Sequence, residues 1–532
     1  MSAPVLLLAG LGVLVATTLV ARRIGAPVPV ALVVVGVAVS FVPGLPSIEL
    51  PPSVILEVVL PPILYAAAVQ VRVIDLRRDW VAVTALAVLL VVVSASTSSA
   101  LLLLLVPGIV PAAAFALGAV VSPPDAVAAI SIGRRLRLPP RLLTVLEGEG
   151  LLNDATALVL LGAALAVLEH GAVSPLEVGG RLVLTVVASS AIGLVAGAGS
   201  ASLRVRLTDP VLDTAVSIGI PFAASVGAVA IGGSGVLAVV VAGLYTGRAV
   251  RRRLSSAART AWRINWSTIQ FLLENGVFLL IGLELRSLLA DVGADAPGVA
   301  LTVAIGLLLT VGLAAVRFGW TAALAGVLHL RDRRSSRSRA TLLHRREAVV
   351  LGWAGMRGVV TLTAAQTLPV DLPHRPQLIL VAFVVVASTL VLQGGTLSPL
   401  IRRLGVRGPA PQDQRAEFAE LLADVVRSGT GVLDDAAGIL DDDVDGAVVD
   451  RVRQDWQHET DAAEEAPVAD GTSYRSTPHR AYRRLTAAVI DAARARLLEV
   501  RVGDRFSSDA VNRTQEVLDA AEQRLRAADD GP

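Results

Sequence analysis

The feature that most constrains the fold is the recurrence of apolar segments about twenty residues long, the length that a helix needs to cross a bilayer. Hydrophobic residues make up 54% of the 532 residues and charged residues only 17%. This composition predicts an all-α polytopic membrane protein rather than a soluble globular one. Thirteen transmembrane spans are predicted, at approximately 4–21, 27–42, 53–70, 80–106, 111–131, 142–168, 180–202, 210–231, 234–249, 266–285, 297–328, 347–369 and 376–400.

Arginine supplies all 47 basic residues and is concentrated in alternate loops between these spans. By the positive-inside rule the arginine-rich side is cytoplasmic, so the N-terminus is predicted outside and the C-terminus inside the cell membrane. The arginine-rich loops lie at 22–23, 72–78, 134–141, 204–206, 248–263, 331–346 and 402–403.

The charge changes sign after Leu404. Up to that residue 31 arginines stand against 19 acids, and beyond it 16 stand against 26. We therefore predict a transmembrane domain over 1–404 and a cytosolic helical tail over 405–532, with closing helices at about 480–502 and 508–527. The tail is predicted to be either a solvated helical appendage or a regulatory domain.

Two spans in corresponding positions are interrupted. An odd number of spans fits two six-helix repeats of opposite orientation joined by one extra span, a plan common among secondary transporters. Under this plan span 5 corresponds to span 12. Span 5 is broken at 122–124 by two prolines, and span 12 reads GWAGMRGVVTL around Arg357. Matching interruptions predict crossed broken helices with a binding site near the bilayer midplane.

Acids collect beside the first interruption, although charge at membrane depth is costly. Asp125 follows the prolines, and in span 6 Asp154 follows Asn153. Carboxylates, together with carbonyl oxygens of unwound backbone around Pro124, are hard ligands suited to a dehydrated cation. An apolar surrounding disfavours a charged carboxylate. Asp154 can therefore hold either a proton or a cation, and competition between them couples opposing fluxes. The alternative is that Asp125 and Asp154 are paired with arginines inside the bundle.

Other charged residues inside the spans have less certain roles. Arg357 cannot deprotonate, so we interpret it as a fixed charge partnered by Glu149 or by Glu147, which shares a helix face with Asp154. Three more, Glu57, Glu274 and Arg317, are candidates either for pairing or for transport.

The sequence favours a transporter over an enzyme. The chain has no cysteine, which excludes a disulfide framework and thiolate metal sites. An intramembrane aspartic protease built on Asp125 and Asp154 is the alternative from another class, but the Tyr-Asp and Gly-x-Gly-Asp contexts of such proteases are absent. No cofactor and no nucleic-acid partner are predicted.

Several blocks resemble one family when they are taken in order. SPPDAVAAI followed by RRLRLPPRLLTVLEGEGLLNDATALVL is similar to the paired signature of the cation/proton antiporter-1 family, the sodium/proton exchangers. Three further blocks match the same family over roughly residues 5–405, and the tail resembles that of bacterial members more weakly. These blocks are LPPILYAAAV, FLLENGVFLLIGLEL and WAGMRGVVTL.

The resemblance implies a thirteen-helix inverted-repeat antiporter, usually a homodimer in the lipid membrane, which exchanges Na⁺ for H⁺ with K⁺ or Li⁺ as alternatives. Asp154 matches the family's cation and proton acid, Asn153 its partner, and Asp125 the acid of the broken helix. Glu149 and Arg357 match its buried ion bridge. In this family, asparagine before the aspartate goes with electroneutral exchange of one cation for one proton.

Two positions depart from the family pattern. Pro124 stands where threonine is common, and Gly150 stands where serine is common, which removes a possible hydroxyl ligand. Two alternatives on the same fold stay open, namely a potassium-selective antiporter or channel and a sensor that no longer transports.

Overall fold

A computed structural model of the chain describes residues 3–43, 51–71, 79–170, 175–207, 209–250, 256–292, 298–333 and 344–408, and single positions between 423 and 520. In these ranges all regular structure is helical, and each of the thirteen predicted spans coincides with helix. The helices are α1 (Ala3–Ile24), α2 (Val28–Ser40), α3 (Val54–Gln70), α4 (Trp80–Leu105), α5a (Pro111–Val121), α5b (Ala126–Arg135), α6 (Pro140–His170), α7 (Pro175–Arg204), α8 (Pro210–Val229), α9 (Gly235–Val250), α10 (Ser256–Leu283), α11 (Val299–Arg333), α12a (Arg345–Trp353), α12b (Val359–Gln366) and α13 (Arg375–Leu404).

The predicted fold class, an all-helical polytopic membrane protein, is confirmed. Nine helices in the described ranges are long and apolar enough to cross a membrane, and α2, α3 and most of α9 are shorter apolar helices. Three helices contain a π-helical segment, at Val54–Val59 in α3, Ala85–Leu89 in α4 and Leu390–Gly394 in α13. Helix α10 is followed by a short helix, Leu285–Val292.

The helices extend further into the arginine-rich loops than the sequence indicated. The run 248–263 was expected to be a loop, yet α9 continues to Val250 and α10 begins at Ser256. Likewise α11 continues to Arg333, past the predicted end at 328. A helix can project beyond the hydrocarbon layer, where its arginines reach water, so apolar length alone underestimates its extent.

Both predicted interruptions are present. Helix α5a ends at Val121 and α5b begins at Ala126, so that Pro123 and Pro124 lie in the unwound segment between them. Helix α12a ends at Trp353 and α12b begins at Val359. Proline removes a backbone donor, and consecutive prolines after a helical turn therefore end the hydrogen-bond ladder. In span 12 the break contains two glycines and Arg357 instead.

The described helices of the membrane domain bury two apolar clusters. The larger cluster is formed mostly by α4, α5a, α5b, α6, α11, α12a, α12b and α13, with contributions from α2 and the second half of α10. The smaller cluster is formed by α3, α8, α9 and the first half of α10, and Leu151 of α6 reaches into it. The two broken helices belong to the larger cluster, and their unwound segments lie on its side that faces α3 and α10.

The chain divides after Arg407 into two compact units, 1–407 and 408–532. Beyond Gly408 only scattered positions of the second unit are described, and these are helical, as at residues 449–451 and 453–455. The closing helices predicted at 480–502 and 508–527 lie almost entirely outside the described residues. The role of the tail therefore stays a prediction.

Candidate functional site: two aspartates at crossed helix breaks

The two breaks are joined directly by a backbone hydrogen bond. The amide nitrogen of Asp125 donates to the carbonyl oxygen of Met356 at 2.6 Å. The Asp125 side chain caps its own half-helix, because Oδ1 accepts from the amide of Val127 at 2.8 Å. A side chain at Gly358, the residue before α12b, would collide with the Asp125 carboxylate. Asp125 thus lies against the N-terminal ends of α5b and α12b, whose backbone dipoles favour negative charge there.

Arg357 links the two breaks through hydrogen bonds to backbone carbonyls. Its Nε donates to the carbonyl of Val121, the last residue of α5a, at 2.7 Å, and its Nη1 donates to the carbonyl of Gly355. Its backbone amide donates to Thr389 Oγ1 of α13 at 3.0 Å. The guanidinium is 3% exposed. It therefore satisfies carbonyl groups that the unwound segments leave without helical partners.

Helix α6 presents Asn153 and Asp154 to the same place. Asn153 is fully buried, and its Nδ2 donates to the carbonyl of Pro124 at 2.6 Å. Within the described ranges its Oδ1 has no hydrogen-bond partner. Asp154 is half-buried on the adjacent face and lines the same cavity as Asp125. The predicted meeting of Asp125, Asn153, Asp154 and the backbone at Pro124 is thus a feature of the structure.

Gly150 permits this close approach of α6 to α5b. A Cβ atom at position 150 would lie 2.6 Å from the Cβ of Ala126, which is far shorter than van der Waals contact. Glycine in place of serine at position 150 therefore allows the two helices to pack tightly. Any oxygen that replaces such a hydroxyl as a ligand has to come from elsewhere in the site.

A cavity of ≈ 440 Å³ lies in front of the two aspartates. Its walls come from α3, the break of span 5, α5b, α6, α10 and α12b, and its acidic lining residues are Asp125, Glu147, Asp154 and Glu274. Among the described residues, neither Asp125 nor Asp154 forms an ion pair. The alternative, that these two acids are merely paired with arginines, therefore finds no support in the described part of the chain.

The predicted pairing of Glu149 with Arg357 is wrong. Glu149 instead forms a bidentate pair with Arg317 of α11, with Nη1 on Oε1 and Nη2 on Oε2 at 2.8 Å. Arg317 also donates to the carbonyls of Leu351 and Ala354 at the end of α12a, at 3.0 and 3.3 Å. Glu149 and Arg317 are only 1% and 2% exposed. Arg357 is occupied by carbonyl groups, which leaves Arg317 to neutralise the glutamate.

The remaining candidate residues differ in whether they line the cavity. Glu147 is paired with the exposed Arg134 at 2.7 Å, and both lie at the cavity. Glu274 faces the cavity from α10 and accepts from Gln270 Nε2 at 2.7 Å. Glu57 is exposed on the π-helical segment of α3 and does not line the cavity.

Sequence reasoning missed a second buried ion pair, between Arg204 at the end of α7 and Asp213 of α8. Nε and Nη2 of Arg204 each donate to an Asp213 oxygen at 2.7 Å, and both side chains are at most 1% exposed. The ring of Trp262 lies 5.7 Å from the guanidinium carbon. The sequence places Arg204 in an arginine-rich loop, and the acid nine residues later, Asp213, was the available signal for the pair.

The site has the composition of a small monovalent cation site. In the ranges described above, no group of three or more His, Cys, Asp or Glu side chains forms a metal cluster. Two carboxylates, the free Asn153 carboxamide oxygen and unwound backbone provide oxygen ligands of modest total charge. Acids between discontinuous helices inside an apolar bundle are characteristic of secondary ion transporters, and this is the class that the fold and site define.

Comparison with known proteins identifies the family. The model of the family described as "Sodium/hydrogen exchanger, transmembrane" matches residues 10–403, and the chain belongs to this family. It is 30% identical over 404 residues to the low-affinity Na⁺/H⁺ antiporter NhaS1 of Synechocystis, covering 75% of this chain and 73% of the relative. It is 29% identical over 448 residues to an uncharacterized Na⁺/H⁺ exchanger of Mycobacterium tuberculosis, covering 82% and 80%.

The fold is also that of a solved antiporter structure. The sodium proton antiporter MjNhaP1 of Methanocaldococcus jannaschii superimposes with a TM-score of 0.57 at 19% sequence identity, covering 75% of this chain and 99% of that one. At this identity the match concerns the fold alone. Together with the family match, it confirms the antiporter class that the sequence blocks indicated.

Proposed function

We propose that this protein exchanges a monovalent cation, Na⁺ first, for H⁺ across the cytoplasmic membrane, with Asp154 as the shared site. The observation that carries the proposal is the meeting of Asp154 and Asp125 at the crossed breaks, in one cavity and without ion-pair partners among the described residues. The names of the relatives above, which denote Na⁺/H⁺ exchange, support the choice of ions.

The coupling follows from competition at one carboxylate. In a partly apolar cavity the neutral, protonated form of Asp154 is stable, and so is the anion when a cation sits beside it. The form that carries neither ligand leaves an uncompensated charge and is unfavourable. If only the proton-loaded and cation-loaded forms cross between the two faces, each cation moved one way requires a proton moved the other way.

An electroneutral exchange of one cation for one proton is part of the proposal. The residue beside Asp154 is the amide Asn153, which cannot take up a proton and whose Nδ2 is already committed to the Pro124 carbonyl. Asp125 supplies a second carboxylate, but its Oδ1 caps α5b. One acid is therefore left to alternate between proton and cation.

We further propose alternating access around this fixed site. The cavity lies between the aspartates, whose helices belong mostly to the larger apolar cluster, and α3, which belongs mostly to the smaller one, and α10 lines it as well. The lining residues at its mouth include Gln70 and Arg134, beside loops expected in the cytoplasm. A homodimer, an outside N-terminus, and a separate cytosolic tail after residue 404 complete the proposal. The division of the chain near Arg407 supports the separate tail.

The decisive test is dissipation of a pH gradient in proteoliposomes by added Na⁺, Li⁺ or K⁺, with the membrane potential clamped at zero. We expect exchange by the wild type, a ranking of cations, and no exchange by Asp154→Asn. Glu57→Gln, which removes an exposed acid outside the cavity, serves as the matched control and should exchange normally. Robust exchange by well-folded Asp154→Asn would refute the assigned site.

The same assay decides among the alternatives. Selectivity for K⁺ would identify the potassium antiporter. Conduction that leaves the pH gradient intact would identify a channel. Folded wild-type protein that is inactive with all three cations would favour a sensor that signals through its tail.

A further inference from the structure

The cavity wall opposite the aspartates carries a carboxylate that the proposed exchange does not use. Oε1 of Glu274, on α10, accepts a hydrogen bond from Gln270 Nε2 at 2.7 Å. Gln270 Oε1 accepts in turn from Gln70 Nε2 of α3 at 2.9 Å. These three side chains form a continuous row from exposed Gln70 at the mouth to half-buried Glu274 within the cavity.

The row of amides ends on a carboxyl oxygen of Glu274. Each amide donates toward the glutamate, and the last group in the row has to be an acceptor, which a carboxyl oxygen provides. Hydrogen bonds to an ionised acceptor are stronger than those between neutral groups. Oε2 of Glu274 accepts no hydrogen bond from the residues whose positions are described. One carboxylate oxygen is therefore held by protein, and the other is left for a ligand.

Among the residues that the structure describes, Glu274 has no cationic partner. Asp125 and Asp154 line the same cavity. Arg134 at the mouth is paired with Glu147. The two arginines behind the breaks, Arg317 and Arg357, are occupied by Glu149 and by backbone carbonyls. Three carboxylates on two facing walls of one cavity create a negative potential that attracts cations.

We propose that Glu274 binds the transported cation in the state in which this cavity is open, and so sets the cation affinity at one membrane face. This inference rests on the proposed exchange. Asp125 lies in the break before α5b and Asp154 lies on α6, whereas Glu274 lies on α10, so a cation held by Glu274 and one of the aspartates bridges two walls. A movement that closes the cavity shifts one wall against the other. Glu274 therefore contributes at the face that carries Arg134 and not at the opposite face.

Sided transport kinetics test this assignment. Glu274→Gln keeps the shape of the side chain and removes its charge. We expect KM for Na⁺ to rise at least fivefold at the face that carries Arg134, which corresponds to about 1 kcal/mol. KM at the other face and the maximal rate should stay within twofold of the wild type. Glu57→Gln, with the same chemical change outside the cavity, should leave both KM values unchanged.

The absence of native cysteine makes the sidedness measurable. A single cysteine at exposed Arg137, in the loop that follows α5b, reports orientation in proteoliposomes through an impermeant thiol reagent. Unchanged KM at both faces, an equal rise at both faces, or complete loss of exchange by folded Glu274→Gln would each overturn the assignment. If Glu274→Gln does not fold, Gln270→Leu, which removes the donor to Glu274, is expected to raise the same one-sided KM.

A binding measurement separates this inference from the proposed exchange. Purified wild type in detergent should gain thermal stability with added Na⁺, and Glu274→Gln should need at least fivefold more Na⁺ for half of that gain. If wild type shows this gain but no exchange, the proposed exchange fails and the binding role of Glu274 stands. If both proteins respond at the same Na⁺ concentration, the binding role fails even where wild-type exchange is normal.

Discussion

The buried pair of Glu149 and Arg317 allows a quantitative prediction about stability. The Arg317 guanidinium donates four hydrogen bonds, two to the Glu149 carboxylate and one each to the carbonyls of Leu351 and Ala354. Arg317 and Glu149 are both at most 2% exposed. Arg317→Met removes all four and leaves the Glu149 carboxylate buried without its partner. Breaking a buried ion pair in this way costs about 3–5 kcal/mol. We expect Arg317→Met to lower the unfolding temperature, and Glu149→Gln to lower it as well, because the buried guanidinium then keeps its carbonyl partners but loses its counter-charge.

The partner can be identified with two double-mutant cycles. Residues in direct contact show coupling energies of about 0.5–3 kcal/mol, whereas residues without shared partners add nearly independently. Glu149→Gln combined with Arg317→Met should therefore recover part of the stability lost in Arg317→Met alone. The same combination with Arg357→Met should be close to additive, because Arg357 binds the carbonyls of Val121 and Gly355.

Thermal unfolding in detergent, followed by loss of the monodisperse protein peak, measures all five variants against wild type. Transport assays on the same preparations separate loss of fold from loss of exchange. A larger coupling of Glu149 to Arg357 than to Arg317 would refute the pairing. It would also return Arg317 to the group of candidate transport residues.

Two further changes test the packing of the site and the fold around it. Gly150→Ser places a side chain against Ala126, where a Cβ would lie 2.6 Å away, and should cost about 1–3 kcal/mol of stability and reduce exchange. In the double variant Gly150→Ser with Ala126→Gly, the unfolding temperature and the exchange rate should both recover. Failure to recover would show that the contact is not the cause. Arg204→Met leaves buried Asp213 unpaired and should cost about 3–5 kcal/mol, whereas KM for the cation should not change in protein that folds, since the pair does not line the cavity. A wild-type unfolding temperature for Arg204→Met would contradict this second prediction.

The architecture could be predicted from the sequence because its determinants are local. Apolar length identifies spans, and the prolines at 123 and 124 interrupt a helix wherever it packs. The correspondence between the two broken spans then placed Asp125 beside Asp154. Side-chain pairing was less predictable. Arg317 and Arg357 lie on different spans, and the sequence around each arginine does not indicate which of them contacts Glu149. Gly150 shows the same limit, since only the packed helices reveal its contact with Ala126.

The two corrected pairings together explain why the aspartates are available to an ion. Carbonyl groups at the breaks need hydrogen-bond donors. Arg357 donates to the carbonyl of Val121, and Arg317 donates to the carbonyls of Leu351 and Ala354 and pairs with Glu149. Asn153 holds another carbonyl of the break through its amide. Among the described residues, the breaks are thereby satisfied without an arginine that pairs with Asp125 or Asp154. The same arrangement that stabilises two interrupted helices thus leaves both acids without an arginine partner in the described ranges, as the proposed exchange of a proton and a cation requires.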